Sequence, residues 1–177
     1  MGDTTLFSTS LISPEVVASF PDGFTIRSLE RGDYSKGFLD CLEVLTWIGD
    51  TSEAEFIERY DEMIEAKGTY YFAVIEHEGR IVGTGALVVE KKFIHQRGKA
   101  GHIEEISIAK EHQGKGLGLK MIQALDSLAI NLGCYKNILN CGPRNEAFYA
   151  KCGYRNSGIE MSNYFDSDEQ SDSYHRG

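Results

Sequence analysis

Residues 102–118 run from an alternating apolar segment straight into a cluster of glycines and then into an amphipathic stretch. His102 to Ala109 (HIEEISIA) reads as a strand, Gln113-Gly114-Lys115-Gly116-Leu117-Gly118 follows, and Leu117 to Leu132 carries Met121, Leu125 and Leu128 on one side at helical spacing. Glycines have no Cβ, so they let the backbone turn tightly and approach a ligand closely. The helix start behind them presents unpaired N–H groups and the positive end of a dipole. Together they form an anion cradle suited to a pyrophosphate, and Lys115 can add a charge at its rim.

The flanking pattern is that of an α/β chain, and its 177 residues have room for one such domain. Phe24 to Leu29 alternates as a first strand. Asp33 is expected to cap a helix carrying Phe38, Leu42 and Leu45. Ser52-Glu53-Ala54-Glu55 has the capping-box form, with Phe56, Tyr60, Met63 and Ile64 at helical spacing behind it. Tyr70 to Glu76 and Arg80 to Glu90 read as strands joined by a turn at Glu78-Gly79, and Lys91 to Lys99 as a polar, basic connection. Tyr135 to Cys141 is strand-like, Asn145 to Cys152 a short helix, and Tyr154 to Phe165 a last strand. The order predicts a mixed sheet with helices on both faces. Residues 1–20 are expected to be a loosely docked arm, 21–165 a single domain, and 166–177, with four acids and one Arg, a disordered acidic tail.

Composition narrows the chemistry. A formal charge of −9 argues against nucleic acid as a partner, because phosphate backbones need a basic surface. An anionic cofactor must then be held by backbone donors and a few placed cations. Cys41, Cys134, Cys141 and Cys152 have no CxxC or Cys/His ligand spacing, so they are expected to be buried reduced thiols, with no structural zinc and no other metal. The chain has no apolar run of membrane-spanning length, no secretory leader pattern and no Ser or Thr at the myristoylation position. The expectation is a cytoplasmic protein without a membrane partner.

Three glycine-loop patterns compete for residues 113–118. A P-loop requires Ser or Thr after GxxxxGK, which Gly118-Leu119-Lys120 does not supply. A dinucleotide fingerprint requires GxGxxG after an early strand, whereas this loop is late and wrongly spaced. The pattern Gln/Arg-x-x-Gly-x-Gly/Ala fits as Gln113, Gly116 and Gly118. This resembles the pyrophosphate loop of the GNAT superfamily of acyl-CoA N-acyltransferases. The resemblance implies a mostly antiparallel, twisted and splayed mixed sheet, with the pantetheine arm of acetyl-CoA lying along Ile106, Ser107 and Ile108. It implies that the backbone of Gln113, Gly114, Lys115, Gly116, Leu117, Gly118 and Leu119 grips the diphosphate.

Further segments resemble one family, the glucosamine-6-phosphate N-acetyltransferases: Val44-Leu45-Thr46, Lys92-Phe93-Ile94-His95, Gly101 to Ile106 (GHIEEI), Cys134-Tyr135-Lys136, Asn145 to Tyr149 (NEAFY) and Lys151-Cys152-Gly153-Tyr154. The resemblance covers roughly residues 24–163. By this resemblance Thr46, Lys92, Phe93, Ile94, His95, Tyr135 and Lys136 meet the sugar phosphate, the cations supplying charge-assisted donors to the phosphate. Glu104, Glu105 and Ile106 meet the sugar itself. Adjacent strand residues point to opposite faces, so only one acid can face the acceptor unless the strand bulges. Tyr149 is implied to stabilise or protonate the departing thiolate, and Asn140 and Asn145 to contact the coenzyme. Glu105 is one candidate base, beside water relayed to a backbone carbonyl, or no base at all.

Two positions depart from the family pattern. Asn140 stands where Asp is common, and an amide cannot act as a base. Tyr164 stands where a phosphate-reaching Arg is expected. The family also implies a homodimer in which the last strand crosses to the second subunit. The expected reaction is acetyl transfer from acetyl-CoA to the 2-amino group of glucosamine 6-phosphate, in a ternary complex and within UDP-N-acetylglucosamine biosynthesis. A related enzyme acting on another small amine, a polyamine or a peptide N-terminus is the alternative, as is a non-catalytic acyl-CoA-binding module.

Overall fold

The computed structural model of the protein describes residues 5–165. The chain divides into two compact units, Met1–Ile138 and Leu139–Gly177.

The first unit is built on a five-stranded sheet in the order β1-β2-β3-β4-β5: Phe24–Ser28, Tyr70–His77, Arg80–Lys91, Lys99–Ile108 and Cys134–Ile138. The first four strands pair antiparallel, and β5 lies parallel to β4. The tight β2–β3 turn puts Glu78 and Gly79 both at positive φ, 50° and 76°, as a two-residue hairpin loop requires. β5 is reached from β4 through α5 (Leu117–Asn131), the helix that makes the crossover between these parallel strands. It buries Leu117, Met121, Ile122, Leu125 and Leu128, each at most 1% exposed. Burial at about 1.5–3 kcal/mol per such side chain holds the helix, and the loop before it, against the sheet.

The opposite face carries α2 (Phe38–Leu42), whose Cys41 contacts Ser107, and α3 (Glu53–Glu65). The Ser52–Glu55 capping box forms as expected, with Ser52 N–H donating to Glu55 Oε2 at 2.8 Å and Glu55 N–H to Ser52 Oγ at 3.3 Å. Phe56 of α3 packs with Phe38 at 5.7 Å, and Phe38 with Phe72 at 6.3 Å.

Four expectations are corrected. Asp33 does not start one long helix: the chain makes a 3-10 turn (Arg31–Tyr34), breaks at left-handed Gly37 (φ 85°) and restarts as the short α2. Asp33 is fully buried and bound by Arg27. The N-terminal arm is not loose, at least from residue 5. Phe7, Ile12 and Phe20 are buried, and α1 (Pro14–Ala18) packs on α5, with Ser13 N–H bonded to Ser127 Oγ at 2.8 Å. Such short elements repeat too few times to leave a periodic pattern. The basic connection 91–99 is strand at both ends, with one irregular turn, α4 (Ile94–Arg97), between them. Finally, residues 154–165 form no strand, as described below. The expected acidic tail, 166–177, lies outside the described residues.

The sheet splays where expected. β4 and β5 pair only between Lys99–His102 and Cys134–Ile138, with a register shift after Lys99. Beyond His102 no strand pairs with that side of β4 among the described residues, so residues 103–108 keep an open edge.

The second unit contains a 3-10 turn (Pro143–Asn145) and α6 (Glu146–Lys151), closed by Tyr154 N–H to Tyr149 O at 3.0 Å. From Tyr154 to Phe165 the backbone is irregular. Ile159 and Met161 are each 93% exposed and Phe165 92%. A strand needs a neighbour for its N–H and C=O groups, and this segment pairs with none among the described residues.

Candidate active site

β4 leads through a 3-10 turn (Lys110–His112) into the glycine loop. Gly114 and Gly116 adopt φ of 77° and 79°, a left-handed conformation that costs other residues about 1–2 kcal/mol. A Cβ at either would meet nothing within 4 Å, so the space above the loop is open. Gly116 is the N-cap of α5 and no side chain caps it; the first helical bond is Lys120 N–H to Gly116 O at 3.2 Å. The N–H groups of Leu117, Gly118 and Leu119 therefore have no acceptor within the helix. Gln113 ties the loop to the strand, its amide donating to Ile108 O at 3.0 Å. The Lys115 ammonium sits 3.1 Å from His112 Nδ1, exposed at the rim. An open helix start adjoining an open strand edge fits a diphosphate with an extended amide-bearing arm, which is the form of acetyl-CoA.

The strand that carries the open edge is bulged. Thr84 of β3 faces Ser107 and Ala86 faces Glu104, so Glu105 and Ile106 together oppose the single residue Gly85. Glu105 takes φ 53°. Regular alternation would send Glu105 to the same face as buried Ile103; the bulge brings both Glu104 and Glu105 to the surface. The two acids are thus not on opposite faces, and the exception foreseen for a bulged strand is the one that holds. Displacement of water by surrounding protein raises the Glu105 pKa above the usual carboxylate range, and the charge of Glu104 adds to the effect.

The basic residues divide into two groups. In α4, His95, Gln96 and Arg97 all have left-handed φ of 50°, 57° and 60°, a costly run for non-glycine residues. Lys92 N–H to Gly98 O at 2.9 Å and Gly98 N–H to Ile94 O at 3.1 Å close the turn. This conformation lays His95 on Tyr135 of β5, ring centroids 4.4 Å apart, with the Lys136 ammonium 5.7 Å from the same ring. Phe93 and Ile94 stand out from the turn, 97% and 62% exposed. Lys92 belongs to the other group: its ammonium is 2.6 Å from Glu90 Oε1, and His102 Nε2 is 2.9 Å from Glu90 Oε2. Hydrogen bonds from Lys92 and His102 lower the Glu90 pKa. Sequence reading passed over Glu90, although its i, i+2 spacing from Lys92 puts both on one side of a strand. Thr46 lies just past α2, half-buried, its N–H bonded to Leu42 O.

In the second unit Asn140 is exposed and Asn145 immediately precedes α6. Tyr149 is half-buried on α6, its ring 5.0 Å from Phe148 and 6.3 Å from Tyr154. The cysteines correct their expectation in part. None of the four forms a disulfide, but only Cys41 is buried; Cys134 and Cys152 are intermediate and Cys141 is exposed. Burial pushes the Cys41 thiol up to about 11, and burial with the nearby Glu146 charge raises Cys141. Neither is poised as a thiolate nucleophile.

Residues 32–154 match the model of the acetyltransferase (GNAT) family. The chain is 44% identical over 142 residues to the glucosamine 6-phosphate N-acetyltransferase of Candida albicans, covering 80% of this chain and 95% of that protein. It is 43% identical over 145 residues to that of Arabidopsis thaliana, covering 81% and 97%. The crystal structure of the Arabidopsis thaliana glucosamine-6-phosphate N-acetyltransferase superimposes with a TM-score of 0.78, covering 81% of this chain and 99% of that one. A Trypanosoma brucei acetyltransferase structure, 30% identical, gives 0.74, covering 80% and 99%.

Proposed function

The chain belongs to the GNAT family, among its glucosamine 6-phosphate N-acetyltransferases, and from that premise we propose that it moves the acetyl group of acetyl-CoA to the 2-amino group of D-glucosamine 6-phosphate. The products are N-acetyl-D-glucosamine 6-phosphate and coenzyme A, on the way to UDP-N-acetylglucosamine. The observation that carries this reading is the uncapped start of α5 next to a bulged β4 whose open edge bears Glu104 and Glu105. Residues 21–165 work as one acetyltransferase domain; the family match at 32–154 runs through both compact units.

In this reading the backbone of residues 113–119 holds the diphosphate, and the edge at Ile106–Ile108 pairs with the pantetheine amides. Transfer is direct: the amine adds to the thioester carbonyl, the resulting oxyanion is met by a strand N–H, and the thiolate leaves. Glu104 and Glu105 orient the amino sugar, and a raised Glu105 pKa suits a group that accepts a proton from an ammonium near neutral pH. Tyr149 donates to the departing sulfur. Asn140 and Asn145 hold the coenzyme by hydrogen bonds, and Asn140 takes no part in proton transfer. Lys136 and His95, joined through Tyr135, are the principal phosphate donors, and Thr46 adds a hydroxyl. Lys92 contributes through a partnership it shares with Glu90, while Phe93 and Ile94 wall the acceptor.

The direct test is thiol release with glucosamine 6-phosphate, unphosphorylated glucosamine, spermidine and an N-terminal peptide in parallel. The phosphorylated sugar is expected to lead the others in kcat/KM by roughly a hundredfold or more, since its phosphate gains charge-assisted hydrogen bonds, each worth about 1.5–3 kcal/mol, that the other amines do not make. Equal rates across the four would end the assignment.

The assembly we propose is a homodimer in which residues 154–165 pair with a second copy of the chain, working in the cytoplasm, where its four thiols stay reduced. The nearly full exposure of Ile159, Met161 and Phe165 supports this, because apolar side chains in a row without cover mark an interaction surface. Light scattering should return twice the 19.7 kDa chain mass. A monomer mass at micromolar concentration would overturn it.

A further inference from the structure

Within β3 the sequence Gly83-Thr84-Gly85 sets one polar residue between two glycines in an otherwise apolar run, and Thr84 is completely buried. Its hydroxyl donates to the carbonyl of Glu105 at 2.9 Å. That carbonyl belongs to the bulge, where an extra residue on β4 leaves ladder groups unpaired. From the other face, the Cys41 thiol of α2 donates to Ser107 O at 3.9 Å, and Ser107 Oγ donates to Cys41 O at 2.6 Å. Gly85 completes the arrangement. A Cβ there would lie 2.9 Å from Ile106 Cδ1 and 2.8 Å from Met121, so glycine leaves the room in which the bulged Ile106 folds over β3 beneath α5.

From this geometry we infer that Thr84 is a positioning residue for the acceptor: its buried hydroxyl locks the β4 bulge that turns Glu105 out beside Glu104. Without that donor the part-buried Glu105 carbonyl loses its Thr84 partner, and the strand relieves the loss by sliding toward regular pairing. Regular pairing rotates the Glu105 carboxylate toward the core. Ser107 and Ile108 lie beyond the bulge, where pairing with Thr84 and Gly83 has already resumed, so the coenzyme edge moves less. Thr84 therefore acts through Glu105, and on the sugar more than on acetyl-CoA.

This inference rests on Glu104 and Glu105 meeting the amino sugar, and the experiment separates the two ideas. Steady-state constants for both substrates are measured for the wild type, Thr84→Val, Thr84→Ser and Thr84→Cys, and for Thr84→Val combined with Glu105→Gln. Thr84→Val keeps the shape and removes the donor; it should raise the sugar KM and lower kcat, each by about tenfold, as a misplaced binding group does. The acetyl-CoA KM should stay within about threefold. Serine keeps the hydroxyl and should restore the sugar KM to within about threefold of wild type. In the Glu105→Gln background the valine substitution should add little, because its target is already gone. If the valine chain does not fold, Thr84→Cys, whose S–H is a weak donor, carries the same acceptor-selective readout. An unchanged sugar KM in a folded Thr84→Val or Thr84→Cys protein, equal effects on both substrates, or full additivity with Glu105→Gln would each overturn the role of Thr84. A wild type that does not acetylate the sugar would instead sink the functional reading beneath it.

Discussion

Tyr149→Phe is expected to reduce kcat by roughly 10²- to 10⁴-fold, the range associated with losing one positioned proton donor. The chemical reason lies in the leaving group. A thiolate expelled at neutral pH needs either a proton or a donor hydrogen bond as the C–S bond breaks, and phenylalanine supplies neither. In the proposed reaction Glu105 takes a proton from the amine, whereas the departing sulfur needs a donor, so the carboxylate does not substitute for the phenol. The ring contacts of Tyr149 with Phe148 and Tyr154 are ones phenylalanine keeps. The variant should therefore fold normally and bind acetyl-CoA with an affinity within about threefold of wild type, since an effect confined to the transition state leaves ground-state binding intact. Turnover by thiol release and coenzyme affinity by calorimetry are the two readouts. A kcat within twofold of wild type would take Tyr149 out of the mechanism.

Arg27→Met should cost about 3–5 kcal/mol of stability, the range for breaking a buried ion pair and stranding one partner. Arg27 on β1 donates to both carboxylate oxygens of fully buried Asp33 at 2.7 Å and also to Glu76 on β2. Lys36 lies 3.4 Å from Asp33 and 3.2 Å from Glu76, and Asp33 additionally accepts the Glu30 N–H at 2.8 Å. Removal of the guanidinium leaves the Asp33 charge in the core with a single, more distant cation. Native domains hold only about 5–15 kcal/mol in total, so this is a large share. The midpoint of denaturant unfolding, at fixed protein concentration, reports the loss. A second substitution, Asp33→Asn, removes the stranded charge and keeps an acceptor for Glu30, so the double variant should recover at least half of it. A loss under 1 kcal/mol would show that the network is not structural.

The pH dependence has a definite sign. The hydrogen bond from Arg27 is the largest cause of the lowered Glu76 pKa, with Lys36 assisting. A carboxylate with a depressed folded-state pKa stabilises the protein above its unfolded pKa, and that contribution disappears as pH falls through the folded value. The difference between wild type and Arg27→Met is therefore largest at neutral pH and shrinks under acid conditions below the usual carboxylate range.

Much of the site was legible because it is written in local patterns. A strand, closely spaced glycines and an amphipathic helix are contiguous, so residues 102–132 announce the proposed coenzyme cradle without any distant partner. The Ser52 capping box and the Glu78-Gly79 turn were readable for the same reason, since each is a contract among residues within four positions. The acceptor side was legible only as a set of motifs. Nothing in Lys92-Phe93-Ile94-His95 indicates that His95 lies on Tyr135 while Lys92 turns to Glu90, because side chains choose among partners that the fold brings near.

The chain alone therefore determined the class of fold, the glycine loop and the identity of the residues available for chemistry, since these follow from spacing, periodicity and the conformational freedom of glycine. Tertiary structure alone decided the rest. The β4 bulge exists because Thr84, Gly85 and Cys41, from two other elements, make it cheaper than regular pairing. Asp33 became an ion-pair anchor rather than a helix cap because Arg27 of β1 and Lys36 converge on it. The expected last strand is irregular because a strand is a relation between two segments, and 154–165 has no such neighbour among the described residues. Hydrogen bonds and burial act between residues distant in sequence, and only folding selects which of them meet.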